Sequence, residues 1–192
     1  MGERLRIYGP FVEYKAYSFR YGNILLTTRY RFNSYDVKES NFFEGLDSPE
    51  DTVMGGAAIN IILPYKMTII SRSDFDMLNR IGGFEEKLHL KKRIKWKMLS
   101  INPELGINVL SSKMANYDYG VPENSATVWR SSYYLNNGIT WDVEISLMSM
   151  PFYGWNFNAS AGIEFLGNEI KNSPLVDKEY IWKGLLIISR IL

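Results

Sequence analysis

The stretch GITWDVEISL, residues 138–147, alternates without a break. Ile139, Trp141, Val143, Ile145 and Leu147 occupy one side, and Thr140, Asp142, Glu144 and Ser146 the other. Successive side chains of a strand point to opposite faces, so this segment has a greasy face and a face bearing two carboxylates. WNFNASAGIEF (155–165) repeats the pattern, with Trp155, Phe157, Ala159, Ala161, Ile163 and Phe165 against Asn156, Asn158, Ser160 and Glu164. In NILLTTRYRF (23–32), Ile24, Leu26, Thr28, Tyr30 and Phe32 share a face while Arg29 and Arg31 turn away. A soluble sandwich also alternates, but its polar face meets bulk water and its turns are short at both ends. The connections therefore decide.

Period-2 alternation predicts strands at about 11–20, 23–33, 53–63, 67–76, 84–91, 96–112, 137–148, 155–167 and 178–191. Tight connections fall at Tyr21-Gly22, Pro64-Tyr65-Lys66, Lys91 to Arg93, and Pro151 to Gly154. Longer, polar ones fall at about 34–52, 77–83, 113–136 and 168–177. Short and long alternate strictly, which in an up-and-down sheet gathers the turns at one end and the loops at the other. Membrane barrels have this asymmetry. Several strands approach the roughly 9–11 residues that cross a bilayer. Aromatic residues crowd their ends: Tyr30, Phe32, Phe152, Tyr153, Trp155, Phe165, Tyr180 and Trp182, where interfacial girdles would rest. The fold expected is all-β, an antiparallel up-and-down transmembrane β-barrel of about 10–12 strands when complete, forming a single domain over residues 1–192.

Three segments fit less well. FVEYKAYSFR (11–20) does not sort its charges onto one face, the phase of LHLKKRIKWKM (88–98) slips near Leu99, and Pro103 calls for a bulge or irregular stretch. Composition narrows the function. Cysteine is absent, which removes disulfides, thiolate catalysis and cysteine metal sites. A formal net charge of +1 gives no electrostatic footprint for nucleic acid. No run of roughly 18 apolar residues marks a membrane helix, and MGERLRIYG lacks the apolar core of a secretory signal.

Three segments resemble one family. FEGLDSPEDTVMGG (43–56), containing Gly45, Asp47, Asp51 and Thr52, YDYGVPENSA (117–126), containing Tyr119, Gly120 and Val121, and LGNEIKNSPLVDKEY (166–180), containing Leu166, Gly167, Ser173, Pro174 and Val176, are similar to blocks of the MipA/OmpV family. The resemblance runs from about residue 9 to the end, in the family's order. It implies a barrel of the Gram-negative outer membrane, in contact with its lipid. It also implies a non-enzymatic scaffold for murein-synthesising and murein-hydrolysing enzymes, bridging a periplasmic lytic transglycosylase and a murein synthase, with no cofactor. Other members are described as porin-like or as adhesins, so a narrow channel or an adhesin is the alternative. The motif residues, all on loops of the long-loop end, form the expected interaction surface. Two features depart from the family. The chain closes on Ser-Arg-Ile-Leu where a terminal aromatic is usual. Its first strand also runs the wrong way for a periplasmic start unless Arg4 to Tyr8 is itself a strand turning at Gly9-Pro10. An N-terminally shortened chain is expected.

Candidate chemistry is sparse. His89, the only histidine, should point inward because Leu88 and Leu90 face the other way. Ser71, Ser73 and Asp74 lie on the preceding strand, within range of a nucleophile-histidine arrangement, although a lumen-filling role is the plainer expectation. Asp142 and Glu144 share a face and should meet cations across a narrow lumen. Glu85 and Glu86 are adjacent carboxylates. The acidic DSPEDT (47–52) lacks the ligand spacing of a calcium loop. KKRIKWK (91–97) is the one basic cluster. At a periplasmic turn it suits anionic headgroups or an acidic partner.

Overall fold

The computed structural model describes residues 4–32, 43, 45–46, 50–150, 153 and 155–190. Its strands are β1 (Leu5–Tyr8), β2 (Phe11–Phe19), β3 (Gly22–Arg31), β4 (Thr52–Leu63), β5 (Met67–Asp76), β6 (Phe84–Lys92), β7 (Ile94–Trp96), β8 (Leu99–Ser111), β9 (Asn137–Ser149), β10 (Trp155–Leu166) and β11 (Tyr180–Arg190). Every pairing is antiparallel between sequence neighbours, β7 extending the β6–β8 hairpin. The sheet curls into a half-barrel with β1 and β11 at its two edges. The pairs are long; β8 and β9 match from Leu99↔Ser149 to Ser111↔Asn137. Such ladders satisfy the backbone where no water can, since an unpaired N–H or C=O in hydrocarbon costs several kcal/mol.

Polarity is inside out. Trp141, Val143, Ile145 and Leu147 stand on the convex face, while Thr140 and Asp142 are buried on the concave one. The same holds on β3, where Leu26 and Tyr30 are exposed and Thr27 is buried. Rings cluster near the strand ends of the convex face: Tyr30 beside Phe32, Phe75 beside Phe84, Tyr180 beside Trp182. That face suits acyl chains with amphipathic rings at the headgroups. Phe152 and most of the Pro151–Gly154 turn lie outside the described residues.

The irregular segments have local causes. In β2 the register shifts between Lys15 and Tyr17. The bulge at Ala16 lets Tyr14 and Tyr17 share the convex face while Glu13 and Lys15 stay inside. The β6–β8 connection does not turn at Lys91 to Arg93 as the pattern predicts. β7 resumes the register, Ile94↔Ile101 and Trp96↔Leu99, and the chain reverses at Lys97-Met98, Lys97 having φ +52°. On the β6/β7 side the ladder is interrupted beside Pro103, which has no N–H to give, while on the β9 side the register runs on through Pro103↔Ile145. Leu5–Tyr8 is a strand, turning at Gly9 with φ +56°. Where a loop is expected at about 113–136 the chain first forms a helix, α1 (Ser112–Tyr119), and a one-turn helix, α2 (Asn168–Lys171), follows β10.

Candidate functional site

The concave face carries groups of polar side chains, some joined in ways that only a curled sheet can make. Arg29 on β3 donates from Nε to Asp74 on β5 at 3.1 Å and from its guanidinium to Glu85 on β6. A flat sheet would separate β3 and β6 by about 14 Å at roughly 4.8 Å per strand. Thr27 Oγ1 adds a bond to Asp74 at 3.1 Å, and Arg72 on β5 reaches Glu13 on β2 at 3.0 Å. Asp74, 1% exposed, is thus held on β5 by two side chains of β3. A buried carboxylate is tolerated only when so paired.

A second group is centred on His89. Its ring lies over Gly106, where a Cβ would meet it at 2.5 Å. From there Nδ1 reaches Glu104 Oε1 at 2.6 Å and Nε2 reaches Asn108 Oδ1 at 2.9 Å, with Asp142 Oδ2 at 3.7 Å. Lys91 pairs with Glu104 at 3.1 Å, while Lys183 on β11 joins Asp142 at 2.9 Å and Glu164 at 2.7 Å. Asp142 does meet a cation, but Lys183 comes from two strands along the wall and not from across the lumen, and Glu144 joins no ion pair among the described residues. Glu85 and Glu86, by contrast, do not act together. Glu85 faces inward; Glu86 faces outward and accepts from Ser73 Oγ at 2.6 Å. That places Ser73, and Ser71 two residues earlier, on the face opposite His89, so neither can serve it as a nucleophile. Asp74 belongs to the Arg29 group. Among the described residues no cluster of His, Asp or Glu is placed to hold a metal ion.

At the long-loop end the usual soluble rule returns. Met54, Ile81, Leu110, Met114, Ala115, Leu135, Leu166 and Ile170 form a buried apolar core, with Tyr117, Tyr119, Tyr133 and Val176 packed on it. Helix α1 supplies Met114 and Ala115, its N-terminus capped by Ser111 Oγ. Its Asp118 forms a two-pronged pair with Arg31 of β3, at 3.2 and 2.5 Å, fixing the helix to the wall. Burial, and after it the charge of Asp118, pushes the Tyr119 phenol up from its ordinary pKa.

The three sequence motifs meet in this cap. Thr52 is fully buried and donates to Asp76 at 2.5 Å; Asp51 accepts from Tyr30 at 2.6 Å. The amide and carbonyl of Glu50 bond the Tyr117 hydroxyl. Ser173 donates to the Tyr119 carbonyl at 2.5 Å, and Val121 pairs through its backbone with Tyr133, whose hydroxyl donates to the Glu169 carbonyl at 2.7 Å. Gly120 and Gly167 are needed for close approach: a Cβ would come within 2.5 Å of the Asn116 and Ile139 carbonyls respectively. Leu166 is in the core and Val176 against it, Pro174 is half-buried, and Gly45 sits in an exposed turn with φ +83°. Asp47 lies outside the described residues. The motifs therefore hold the loops to one another. Residues missed from sequence complete the cap: Met114, Asn116, Asp118, Leu135 and Ile170. The signal for α1 was present, as Ser111 precedes Met114, Ala115 and Asp118, which share one helical face.

The comparisons with known proteins agree with this architecture. Residues 5–191 match the family model described as MltA-interacting protein MipA. Outer membrane protein OmpV of Vibrio cholerae serotype O1 is 26% identical over 149 residues, and outer membrane protein Omp26La of Vibrio anguillarum 25% over the same length. Each alignment takes in 78% of this chain and 58% of the relative, so the chain spans less than two thirds of the curated proteins it resembles. No solved structure matches. With an inside-out antiparallel wall, loops knitted by the three motifs and a family match over nearly its whole length, this chain belongs to the MipA family of outer-membrane proteins.

Proposed function

We propose that this protein is a non-enzymatic outer-membrane β-barrel that serves as a scaffold for murein-synthesising and murein-hydrolysing enzymes. The observation that carries it is an ion-paired concave face beneath a packed mouth. The concave face is cross-linked by ion pairs from Glu13 to Lys183, and the long-loop mouth holds a packed core anchored by Arg31–Asp118. Interior charges engaged with one another and a mouth held by a packed core favour surfaces for partners over a passage for solutes. The family description, which names interaction with MltA, favours a cell-wall enzyme as one partner. Affinity purification from detergent extracts tests it: a lytic transglycosylase and a murein synthase should co-purify, and an intact complex that contains neither contradicts the scaffold role.

A narrow channel is the second reading, favoured by the charged groups that line much of the concave face. Planar bilayers separate the two. Silence supports the scaffold, and steady single-channel steps support the channel.

A further inference from the structure

The short-turn end, periplasmic in an outer-membrane barrel, has a composition unlike the rest of the molecule. Its turns and the strand ends beside them carry Arg20, Lys66, Lys92, Arg93, Lys95 and Lys97, and the turns themselves hold no carboxylate, whereas acids outnumber bases in the long loops. None of these six cations joins an ion pair among the described residues. Among the described residues, exposed rings stand at three of these turns, Tyr21, Tyr65 and Tyr153, and Trp96 stands on the strand flank just before the fourth. Arg20 stacks over Tyr21 and Lys97 over Trp96, with charge-to-centroid distances of 5.0 and 5.7 Å.

The turns form one rim. Ile62 N donates to the Tyr21 carbonyl at 2.6 Å, Arg93 N to Lys66 at 2.9 Å, and Met150 N to Met98 at 2.7 Å, so each hairpin is tied to the next. The backbone at this rim is also strained. Five described residues other than glycine have positive φ; Tyr65 (58°), Lys66 (60°), Lys97 (52°) and Tyr153 (49°) are four of them. Two consecutive positive φ angles make Tyr65-Lys66 a turn that Asn-Gly would occupy at ease. A left-handed conformation costs an ordinary side chain roughly 1–2 kcal/mol. Rings and cations stand where relaxed turn residues would be more stable, which points to a use for them.

We propose that this rim binds a carboxylate-bearing glycan lying beneath the membrane, the cations pairing with its carboxylates and the rings stacking on the apolar faces of its sugars. The inference rests on the cell-wall reading of the preceding section and names the surface through which that wall is held. Two features favour a glycan over lipid headgroups. Lys95, opposite Ser100, shares the concave side with Lys91, opposite Glu104, and strand alternation places Arg93 with them, while Lys92 falls on the lipid side with Ile94 and Trp96. Tyr65 and Tyr153, 86% and 87% exposed, stand at turn tips beyond the strands, and not along the strand flanks where girdle rings lie.

Co-sedimentation of the detergent-solubilised protein with purified, protein-free murein sacculi tests the proposal. The wild type should sediment with sacculi, less so as salt is raised. The quadruple variant Lys92→Gln/Arg93→Gln/Lys95→Gln/Lys97→Gln should bind at least about tenfold more weakly. Tyr65→Ser/Tyr153→Ser should weaken binding while keeping the salt dependence. Heat-modifiable gel mobility confirms that each variant is folded. Absence of co-sedimentation, or retention untouched by both sets of changes, overturns the proposal. So does rim-dependent binding to phosphatidylglycerol vesicles without binding to sacculi, which would make the rim a headgroup contact. Rim variants that lose sacculi but still co-purify with murein enzymes would uphold this inference and the scaffold reading as separate surfaces. Loss of the enzymes alone would strike at the scaffold reading only.

Discussion

The wall and the cap of this protein follow opposite rules within one chain. In the wall, Val143 and Leu147 face outward and Asp74 and Asp142 are enclosed; in the cap, Leu135 and Ile170 are fully buried and the polar groups lie around them. The difference is the solvent. Lipid offers nothing to a polar group and little reason for two apolar side chains to prefer each other. Water beyond the headgroups restores the hydrophobic drive. The boundary is crossed within single strands: Asn108 of β8 faces the polar interior, and Leu110, two residues on and on the same face, is already in the cap core.

The largest effect that would test this contrast is expected in the wall. Arg29→Ala leaves Asp74 and Glu85 close together without their shared cation, and unfolding in urea should show a loss of about 3–5 kcal/mol. The next is a matched pair of truncations. Leu135→Ala should cost about 2–5 kcal/mol of cap stability, read as faster tryptic cleavage within residues 112–136. Leu147→Ala, whose place lipid can fill, should change little. Equal effects at the two sites would erase the distinction drawn here.

Much of the wall was legible because period-2 alternation survives lipid: GITWDVEISL and NILLTTRYRF sort their side chains as their pattern requires. Legibility failed where a single residue alters the count. The bulge at Ala16 hid the sorting of β2, and Pro103 with the turn at Lys97-Met98 displaced a predicted reversal by several residues. The cap was visible only as motifs. Nothing in the chain announces that Tyr117 will bond Glu50 or that Arg31 will hold Asp118, since these contacts join residues 67 and 87 apart. Loop motifs suggested an interaction surface, yet burial of Thr52, Val121, Leu166 and Ser173 shows that those side chains hold loops together.

Smaller effects sharpen the picture. Gly106→Ala sets a methyl against the His89 ring and should cost about 1–3 kcal/mol, with a changed imidazole NMR signal as His89 leaves Glu104 and Asn108. Tyr65→Asn/Lys66→Gly relaxes the strained turn and should stabilise the protein by about 1 kcal/mol.

The most direct test of the inverted wall uses the absence of cysteine from the chain. Single cysteines placed in turn from residue 139 to 147 can carry nitroxide labels in reconstituted bilayers. Collision with oxygen reports lipid, and collision with a water-soluble nickel chelate reports an aqueous surface. Labels at 139, 141, 143, 145 and 147 should favour oxygen, and the even positions should be shielded from it. The opposite alternation, or none, would contradict the account.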